Sequence, residues 1–299
     1  MILKGEVRTI ILPPLYNWNM SLIHAYQLTE NGAKALSIQA DSADGLTRQL
    51  PSGFYTTFRT LGTGTKVLYL RSHLDRLYQP AEAQGIRPAV SREELKRMLA
   101  DLVKRNAPDE SRVRLVISAS DSPGTVYVIL EPFHPLAETI YKNGVHVICR
   151  PLERATPRLK STTFIERSQP ARQLVHGDTF EVLLMRNGRI LEGMTSNFFY
   201  VKDGILGTAR KDILLGVTRR TVLRVARGSG LEIRYRALKR EQVLALDEAF
   251  ITSSSRGIVP VVQIDDVSVG EGVPGPVAKN LLERYNAYVG QHAELIQGR

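Results

Sequence analysis

Four segments in the second half of the chain combine residue types that could do chemistry. Glu192 stands immediately before a glycine-containing turn that leads into a strand. Gly216 and Thr218 stand where a helix begins, and the exposed amides and the dipole of a helix start attract anions such as phosphate. The turn at residues 252–255 is rich in hydroxyl groups, and the loop lysine Lys160 is followed by three hydroxyl residues. Together they offer an acid, two anion-binding turns and an amine.

Each of these residues also has an ordinary structural explanation. Hydroxyl side chains cap helices and turns in most proteins. Lys160 could be a surface lysine among 40 Lys and Arg residues, and Glu192 could be a turn acid on the rim of a hairpin. Arg76, on a predicted helix, could pair at the surface with an acid such as Glu82 or Asp101. The residues alone leave both explanations open.

The elements that must position these segments indicate an α+β chain of two domains. In the first domain, residues 1–135, a strand at 65–70 precedes two helices, and strands at 112–118 and 124–130 follow them. Ser72 is a candidate cap for the first helix, and Ser91 with Glu94 forms a capping box for the second. Because the helices pair up and the strands pair up instead of alternating, the fold class is α+β.

The second domain, residues 136–299, follows a linker predicted at 132–141. Asn187-Gly188 is a hairpin signal between strands at 180–185 and 198–201. The remaining predicted elements are strands at 145–150, 232–237 and 249–252 and helices at 163–175, 218–227 and 276–289. Residues 270–275 match the dinucleotide motif G-x-G-x-x-G, but no βαβ unit surrounds them, so we interpret them as a connector.

The composition excludes several classes of protein. Hydrophobic residues make up 43% of the chain and charged residues 23%, as in globular proteins, and no apolar run is long enough to span a membrane. The first fifteen residues carry charges where a secretory signal needs an apolar run. Cys149 is the only cysteine, which excludes an internal disulfide and fits a reducing compartment. We therefore predict a cytoplasmic protein.

The charge and the histidines indicate what the protein does not bind. The net charge is +10, with much of the excess in the segment 219–240, which has a single aromatic residue, Tyr235, and lacks a nucleic-acid-binding signature. We interpret this segment as a solvated basic face. The six histidines are scattered without metal-ligand spacing. We therefore predict no metal, no nucleic acid and no membrane among the partners.

Taken together, the motifs resemble one family. They occur in the order and spacing of the class IV, or fold-type IV, pyridoxal-phosphate enzymes, a group that includes branched-chain aminotransferases, D-amino-acid aminotransferases and aminodeoxychorismate lyases. The resemblance covers roughly residues 30–290 and is strongest through 180–280. The segments that carry it are 53–59, 73–77, 192–197, 216–219, 247–252 and 260–265. It implies a small N-terminal domain and a larger C-terminal domain with a barrel-like sheet.

The resemblance assigns a role to each candidate residue and implies pyridoxal 5'-phosphate as the cofactor. Lys160 is the Schiff-base lysine and the catalytic base, and Glu192 holds the pyridine nitrogen protonated. Leu214 covers one face of the ring. The phosphate is bound by Arg76, Val217, Thr218 and Ser254.

The sequence departs from the family pattern in three places, two beside the substrate pocket and one at a cofactor contact. Residues 48–53 replace an Arg-Gly-Asp-Gly-like stretch, and residues 162–165 lack the usual Asn or Tyr near the cofactor's phenolic oxygen, although Thr163 offers a hydroxyl. The turn at 118–123 lacks an arginine that often binds the substrate carboxylate. Arg59 and Arg256 are the remaining candidates for that carboxylate.

The resemblance therefore implies a homodimeric aminotransferase that exchanges an amino group between an amino acid or amine donor and a 2-oxo acid. The alternative within the family is an elimination of the aminodeoxychorismate lyase type, which uses the same lysine. The alternative outside it is a catalytically silent relative, against which the presence of Lys160 argues, or a basic nucleic-acid-binding protein.

Overall fold

The structure is a computed structural model, and it describes residues 23–297. Within this range no helix is both long enough and apolar enough to cross a membrane. The charged start of the chain, which predicts that there is no secretory signal, lies outside the described residues.

The first part of the chain combines strands with two long helices. Its elements are β1 (His24–Thr29), β2 (Gly32–Ala35), α1 (Ala43–Arg48), β3 (Gly53–Arg59), β4 (Lys66–Leu68), α2 (Leu70–Ala83), α3 (Arg92–Lys104), β5 (Ser111–Ser118) and β6 (Val126–Pro132). The predicted capping box begins α3: the Ser91 hydroxyl accepts from the Glu94 amide, and the Glu94 carboxylate accepts from the Ser91 amide. Ser72 does not cap α2; Tyr69, with φ 54°, directly precedes its first residue.

Five of these strands form an antiparallel sheet in the order β2-β1-β6-β5-β3. Helices α2 and α3 cover one face of it with a continuous apolar core. Val113, Leu115 and Ile117 of β5 lie in that core. Because side chains alternate along a strand, Arg112 and Arg114 must point to the opposite face, which is the face turned towards the rest of the chain.

The second part of the chain is richer in strands. Its elements are α4 (Glu138–Asn143), β7 (Val145–Pro151), α5 (Thr163–Arg167), α6 (Gln169–Arg172), β8 (Thr179–Arg186), β9 (Arg189–Gly193), β10 (Asn197–Lys202), β11 (Ile205–Thr208), α7 (Val217–Gly228), β12 (Ile233–Tyr235), β13 (Leu238–Lys239), a 3-10 helix (Arg240–Ala245), β14 (Glu248–Ser253), β15 (Gly257–Ile264), β16 (Val267–Ser268), α8 (Pro276–His292) and β17 (Ala293–Leu295).

Ten strands form a mixed sheet in the order β12-β11-β10-β14-β15-β7-β8-β9-β13, with β16 beside β15. Helices α7 and α8 pack on one face of it, where Phe199 and Phe250 stack with 5.0 Å between ring centroids. The chain then returns to the first part, because β17 pairs with β4 and Ile296 is buried in the core beneath α2 and α3. The α+β class is confirmed.

Several predicted boundaries are wrong. The predicted linker at 132–141 contains the start of α4, and β6 extends through Pro132. The predicted helix at 163–175 is two short helices, because Pro170 has no amide to donate and disfavours helical backbone in the preceding residue. Asn187-Gly188 forms the predicted hairpin with φ of 49° and 70°, but it joins β8 to β9 and not to the strand beginning at Asn197.

Candidate active site

A cavity of about 460 Å³ lies between the five-stranded sheet and the ten-stranded sheet, and we call it the Lys160 cavity. Every residue that the sequence assigns to the cofactor lines it, as does one of the two substrate candidates. These residues are Lys160, Arg76, Glu192, Leu214, Val217, Thr218, Ser254 and Arg256. The other substrate candidate, Arg59, lines a neighbouring cavity of about 580 Å³ instead.

The backbone around Lys160 is fixed by the edge of the five-stranded sheet. The Tyr55 amide donates to the Lys160 carbonyl at 2.8 Å, and the Thr162 amide donates to the Gly53 carbonyl at 2.9 Å. The Thr162 hydroxyl in turn accepts from the Gly53 amide at 2.8 Å. The loop that carries Lys160 therefore pairs with the free edge of β3. A strand from the first part of the chain thus fixes the position of Lys160, which belongs to the second part.

The side chain of Lys160 is held in a strongly cationic environment. Its Nζ lies 4.7 Å from the centroid of the Tyr55 ring. Burial is the main cause of a pKa well below the ordinary lysine value, and the positive charges of Arg154, Arg76 and Arg114 lower it further, while Glu192 opposes them. A lowered pKa increases the share of the uncharged amine, which is the form that attacks a carbonyl or accepts a proton.

Glu192 lies at the end of β9, and its side chain is 2% exposed. Its carboxylate accepts from Arg154 Nε at 2.9 Å, from Asn197 Nδ2 at 3.1 Å and from the Leu214 amide. Burial raises the pKa of Glu192, although Arg154 and the Leu214 amide oppose the effect. The site therefore holds a buried carboxylate in a fixed orientation. A second cation beside it would further stabilise its charged form.

Arg154 was not among the predicted site residues, although its side chain is only 4% exposed. Its Nη2 donates to the Met194 carbonyl at 2.9 Å, and its guanidinium lies 3.8 Å from the centroid of the Phe164 ring. Its Nη1 is buried and has no partner among the residues the structure describes, and Thr252 Oγ1 in the same wall also lacks one. Buried polar atoms are rarely left unpaired, so both atoms fit a polar ligand in the cavity.

A phosphate-sized anion would fit the corner where α7 begins. The N-cap Gly216 offers no side chain to the first amides of the helix, and a Cβ there would lie 2.2 Å from Asn197 Oδ1. Thr218 Oγ1 donates to Ser254 Oγ at 3.3 Å, which joins two predicted phosphate ligands. Arg76 reaches the same corner and donates to the Leu215 carbonyl.

Arg76 lies in the wall of the Lys160 cavity and is partly buried. Burial and the charge of Arg220 lower its pKa to about 10. The two acids offered as surface partners bind elsewhere, since Glu82 pairs with Arg92 and Asp101 with Lys104.

Three arginines missed by sequence reasoning also line the cavity: Arg112, Arg114 and Arg172. We call them the arginine wall. Arg114 Nη1 lies 2.7 Å from Asp44, and Nε donates to Thr57 Oγ1 at 3.2 Å. Its guanidinium lies 5.0 Å from the centroid of the Tyr55 ring that Lys160 also contacts, so the wall and the lysine lie close together. Two arginines at alternate positions of a strand were the signal for this wall.

Arg256 lies beside the hydroxyl-rich turn at residues 252–255, and its charge is compensated by an acid. Its Nη2 donates to Glu181 Oε2 at 3.0 Å, and Glu181 is buried with no other cation bonded to it in the described part of the chain. Arg59 pairs with Glu110 at 3.9 Å and lies over the Phe133 ring. Neither substrate candidate therefore offers an uncompensated charge to the Lys160 cavity.

Comparison with known proteins decides the family. Residues 53–264 match the family described as amino-transferase class IV. This chain belongs to the class IV aminotransferases. A D-alanine aminotransferase of Bacillus licheniformis is 30% identical over 224 residues, which cover 71% of this chain and 79% of that protein. A branched-chain-amino-acid aminotransferase of Escherichia coli strain K12 is 28% identical over 242 residues, covering 74% and 78%.

Solved structures agree on the fold. A branched-chain amino acid aminotransferase solved with pyridoxamine 5'-phosphate superposes with a TM-score of 0.76 at 22% identity, covering 91% of this chain and 98% of that one. A putative branched-chain amino acid aminotransferase of Thermotoga maritima superposes with a TM-score of 0.74 at 25% identity, covering 89% and 96%. The predicted fold-type IV architecture is confirmed.

Membership of the family confirms that the chain is an enzyme and an aminotransferase. The comparisons give the lyase-type alternative no better support. Class IV aminotransferases use pyridoxal phosphate, and their substrates are amino acids and oxo acids. The roles assigned to individual residues of this chain stay predictions.

Proposed function

We propose that the Lys160 cavity binds pyridoxal 5'-phosphate and transfers an amino group between an amino acid and a 2-oxo acid. The observation that carries the proposal is that a lysine with a lowered pKa, a buried acid and the start of helix α7 line one cavity. The two unpartnered buried atoms, Arg154 Nη1 and Thr252 Oγ1, support a polar ligand in the same cavity.

Different residues of the cavity would bind different parts of the cofactor. Arg76, the first amides of α7, Thr218 and Ser254 would bind its phosphate. Leu214, which is buried at the cavity wall, would pack against the ring. Arg154 Nη1 would donate to the phenolic oxygen, for which the sequence offered only Thr163.

Lys160 and Glu192 have the chemical roles. When bound, the cofactor withdraws electrons from the α-carbon of the substrate, so that a proton can leave it. Lys160 would attach the cofactor in the resting enzyme and then carry that proton on its Nζ, because the lowered pKa favours the uncharged amine that accepts it. Glu192 would keep the ring nitrogen protonated by placing a negative charge beside it in a buried setting.

The arginine wall is the best place for the substrate carboxylate. Arg256 is neutralised by Glu181, and Arg59 faces another cavity, so we replace these two candidates. Arg114 and Arg172 share a single acid, Asp44, which leaves one positive charge of the pair uncompensated. A carboxylate is the group that this charge would attract.

The proposal is tested by spectroscopy and peptide mapping. The purified protein should show the visible absorption of bound pyridoxal phosphate, which should change on adding an amino acid and return on adding 2-oxoglutarate. Reduction with borohydride should fix the cofactor to the peptide that contains Lys160. Lys160→Ala should lose turnover and the attachment, whereas the exposed Lys279→Ala should retain both. Full activity in Lys160→Ala would overturn the proposal.

The remaining expectations need separate measurements. We infer that the two sheets are the cores of two domains divided near residue 135, which limited proteolysis would test. A homodimer and a cytoplasmic location stay predictions, which light scattering and cell fractionation would test. Release of pyruvate from aminodeoxychorismate, without activity towards amino acids and oxo acids, would favour the lyase-type alternative.

A further inference from the structure

One carboxylate connects three separate elements at the edge of the Lys160 cavity. Asp44, in the first turn of α1, lies 2.7 Å from Nη1 of Arg114 on β5. Its other oxygen accepts from Nη1 of Arg172 on α6. Since α6 closely follows the loop that carries Lys160, Asp44 ties the arginine wall to the chain segment that holds the lysine.

The arrangement orients the wall without cancelling its charge. Arg114 has two further fixed contacts, because its Nε donates to Thr57 Oγ1 at 3.2 Å and its Nη1 donates to Thr47 Oγ1 at 2.8 Å. Arg172 Nε donates to Ser168 Oγ at 2.9 Å. Two guanidinium groups facing one carboxylate keep a net charge of about one, and neither Nη2 atom has a partner among the contacts of the described residues.

The ionisation of Asp44 agrees with this arrangement. Burial alone raises the pKa of its carboxyl group, but Arg114 and Arg172 more than offset the effect, so the pKa lies below its usual value. The carboxylate is therefore charged at neutral pH, and it holds the two arginines close together despite their mutual repulsion.

We propose that Asp44 is a positioning residue that holds Arg114 and Arg172 as a paired receptor for the substrate carboxylate and fixes the distance between that carboxylate and Lys160. This inference rests on the proposed function, because it assumes that a carboxylate substrate reacts at Lys160. Asp44 is not itself proposed as a ligand of the substrate. Its effect reaches the reaction only through the two arginines.

Two reagents separate this role from a general structural one. Aminooxyacetate and methoxyamine carry the same reactive aminooxy group and both consume the enzyme-bound cofactor, but only aminooxyacetate has a carboxylate. Their rates are measured with the holoenzyme from the loss of its visible absorption. In wild type, the carboxylate should make aminooxyacetate the faster reagent.

Asp44→Asn should slow the reaction with aminooxyacetate by about tenfold or more, because the neutral amide cannot hold two guanidinium groups together. The reaction with methoxyamine should change by less than about twofold. Propanoate, an unreactive carboxylate, should bind about tenfold more weakly in calorimetric titrations. Asp41→Asn, the same change at an exposed position nearby, should behave as wild type in all three measurements.

Asp44→Glu is the control for the possibility that Asp44→Asn only impairs folding. It keeps the charge at the same place in the chain, so it should recover most of the aminooxyacetate rate and of the propanoate affinity. Equal slowing of both reagents in Asp44→Asn, or propanoate binding as in wild type, would overturn the role of Asp44. Absence of cofactor absorption in wild type would instead overturn the proposed function.

Discussion

Replacing Arg154 by Met tests whether the cavity is built around a buried charge pair. The side chains of Arg154 and Glu192 are 4% and 2% exposed, and Nε and Oε1 lie 2.9 Å apart. The methionine roughly fills the space of the arginine stem but carries no charge. In the cofactor-free protein it leaves Glu192 buried without a cation bonded to it.

The structure sets the size of the effect. Removing one member of a buried ion pair costs about 3–5 kcal/mol of unfolding free energy, because the remaining charge stays out of water. Glu192 keeps its hydrogen bonds from Asn197 and from the Leu214 amide, which places the expected loss near the lower limit, about 3 kcal/mol. Urea denaturation of the cofactor-free protein at neutral pH would measure it.

The loss should depend on pH with a definite sign. Burial already raises the pKa of Glu192, and without Arg154 the pKa rises further. At pH values of about 8 and about 5.5, both above the ordinary glutamate pKa of about 4.3, the folded variant binds more protons at Glu192 than the unfolded chain does, and the difference grows as the pH falls. The difference in unfolding free energy between wild type and variant should therefore shrink as the pH falls.

A double-mutant cycle provides the control. Glu192→Gln removes the charge that Arg154 compensates, so Arg154→Met should cost much less in that background than in wild type. Arg158→Met, at an exposed arginine that donates only to the Arg210 carbonyl, should cost little at any pH. A loss below about 1 kcal/mol for Arg154→Met, or one that is the same at both pH values, would refute the reasoning.

Two further substitutions test the cofactor contacts. Glu192→Gln should retain the cofactor but lower turnover by about two to four orders of magnitude, because an amide does not keep the ring nitrogen protonated; each tenfold loss corresponds to about 1.4 kcal/mol. Steady-state rates within a few-fold of wild type would contradict this role. Arg76→Ala should raise the dissociation constant of the cofactor about ten- to a hundredfold in equilibrium dialysis, since it removes a charge-assisted bond to phosphate. The exposed Arg71→Ala on the same helix is its control, and equal affinities would place Arg76 outside the phosphate site.

Local signals predicted the helices and turns that need only a few neighbouring residues. The capping box of α3 and the positive φ values of Asn187 and Gly188 arise within four residues of chain. The strands before residue 60 were harder to predict. Most residues of β3 are aromatic or hydroxyl-bearing, and its first four residues are all buried, so no alternation marks the strand.

The predicted cofactor residues share one cavity because family motifs mark them in the sequence. Arg154 and Arg114 carry no such mark, and their roles depend on partners that are distant in the chain. Arg154 meets Glu192 across 38 positions, and Arg114 meets Thr47 across 67. Alternation along β5 places Arg112 and Arg114 on one face of the sheet, but only the packing of the two sheets decides that this face lines the cavity.

Charge compensation explains why the cavity has two anion-binding regions and not a uniformly positive surface. Arg154 is paired with Glu192, and Arg256 with Glu181, so neither pair adds net charge. Positive charge remains in two places only among the groups lining the cavity: at the α7 corner with Arg76, and at the arginine wall.

Both regions line the cavity that holds Lys160, and Arg76 of the first region, Arg114 of the second and Arg154 all lower the pKa of its amine. A ligand that brings a phosphate to one region and a carboxylate to the other would neutralise much of this charge. The pKa of Lys160 should then rise as the site fills, which makes the amine a better proton acceptor when both anionic groups are bound than when the cavity is empty.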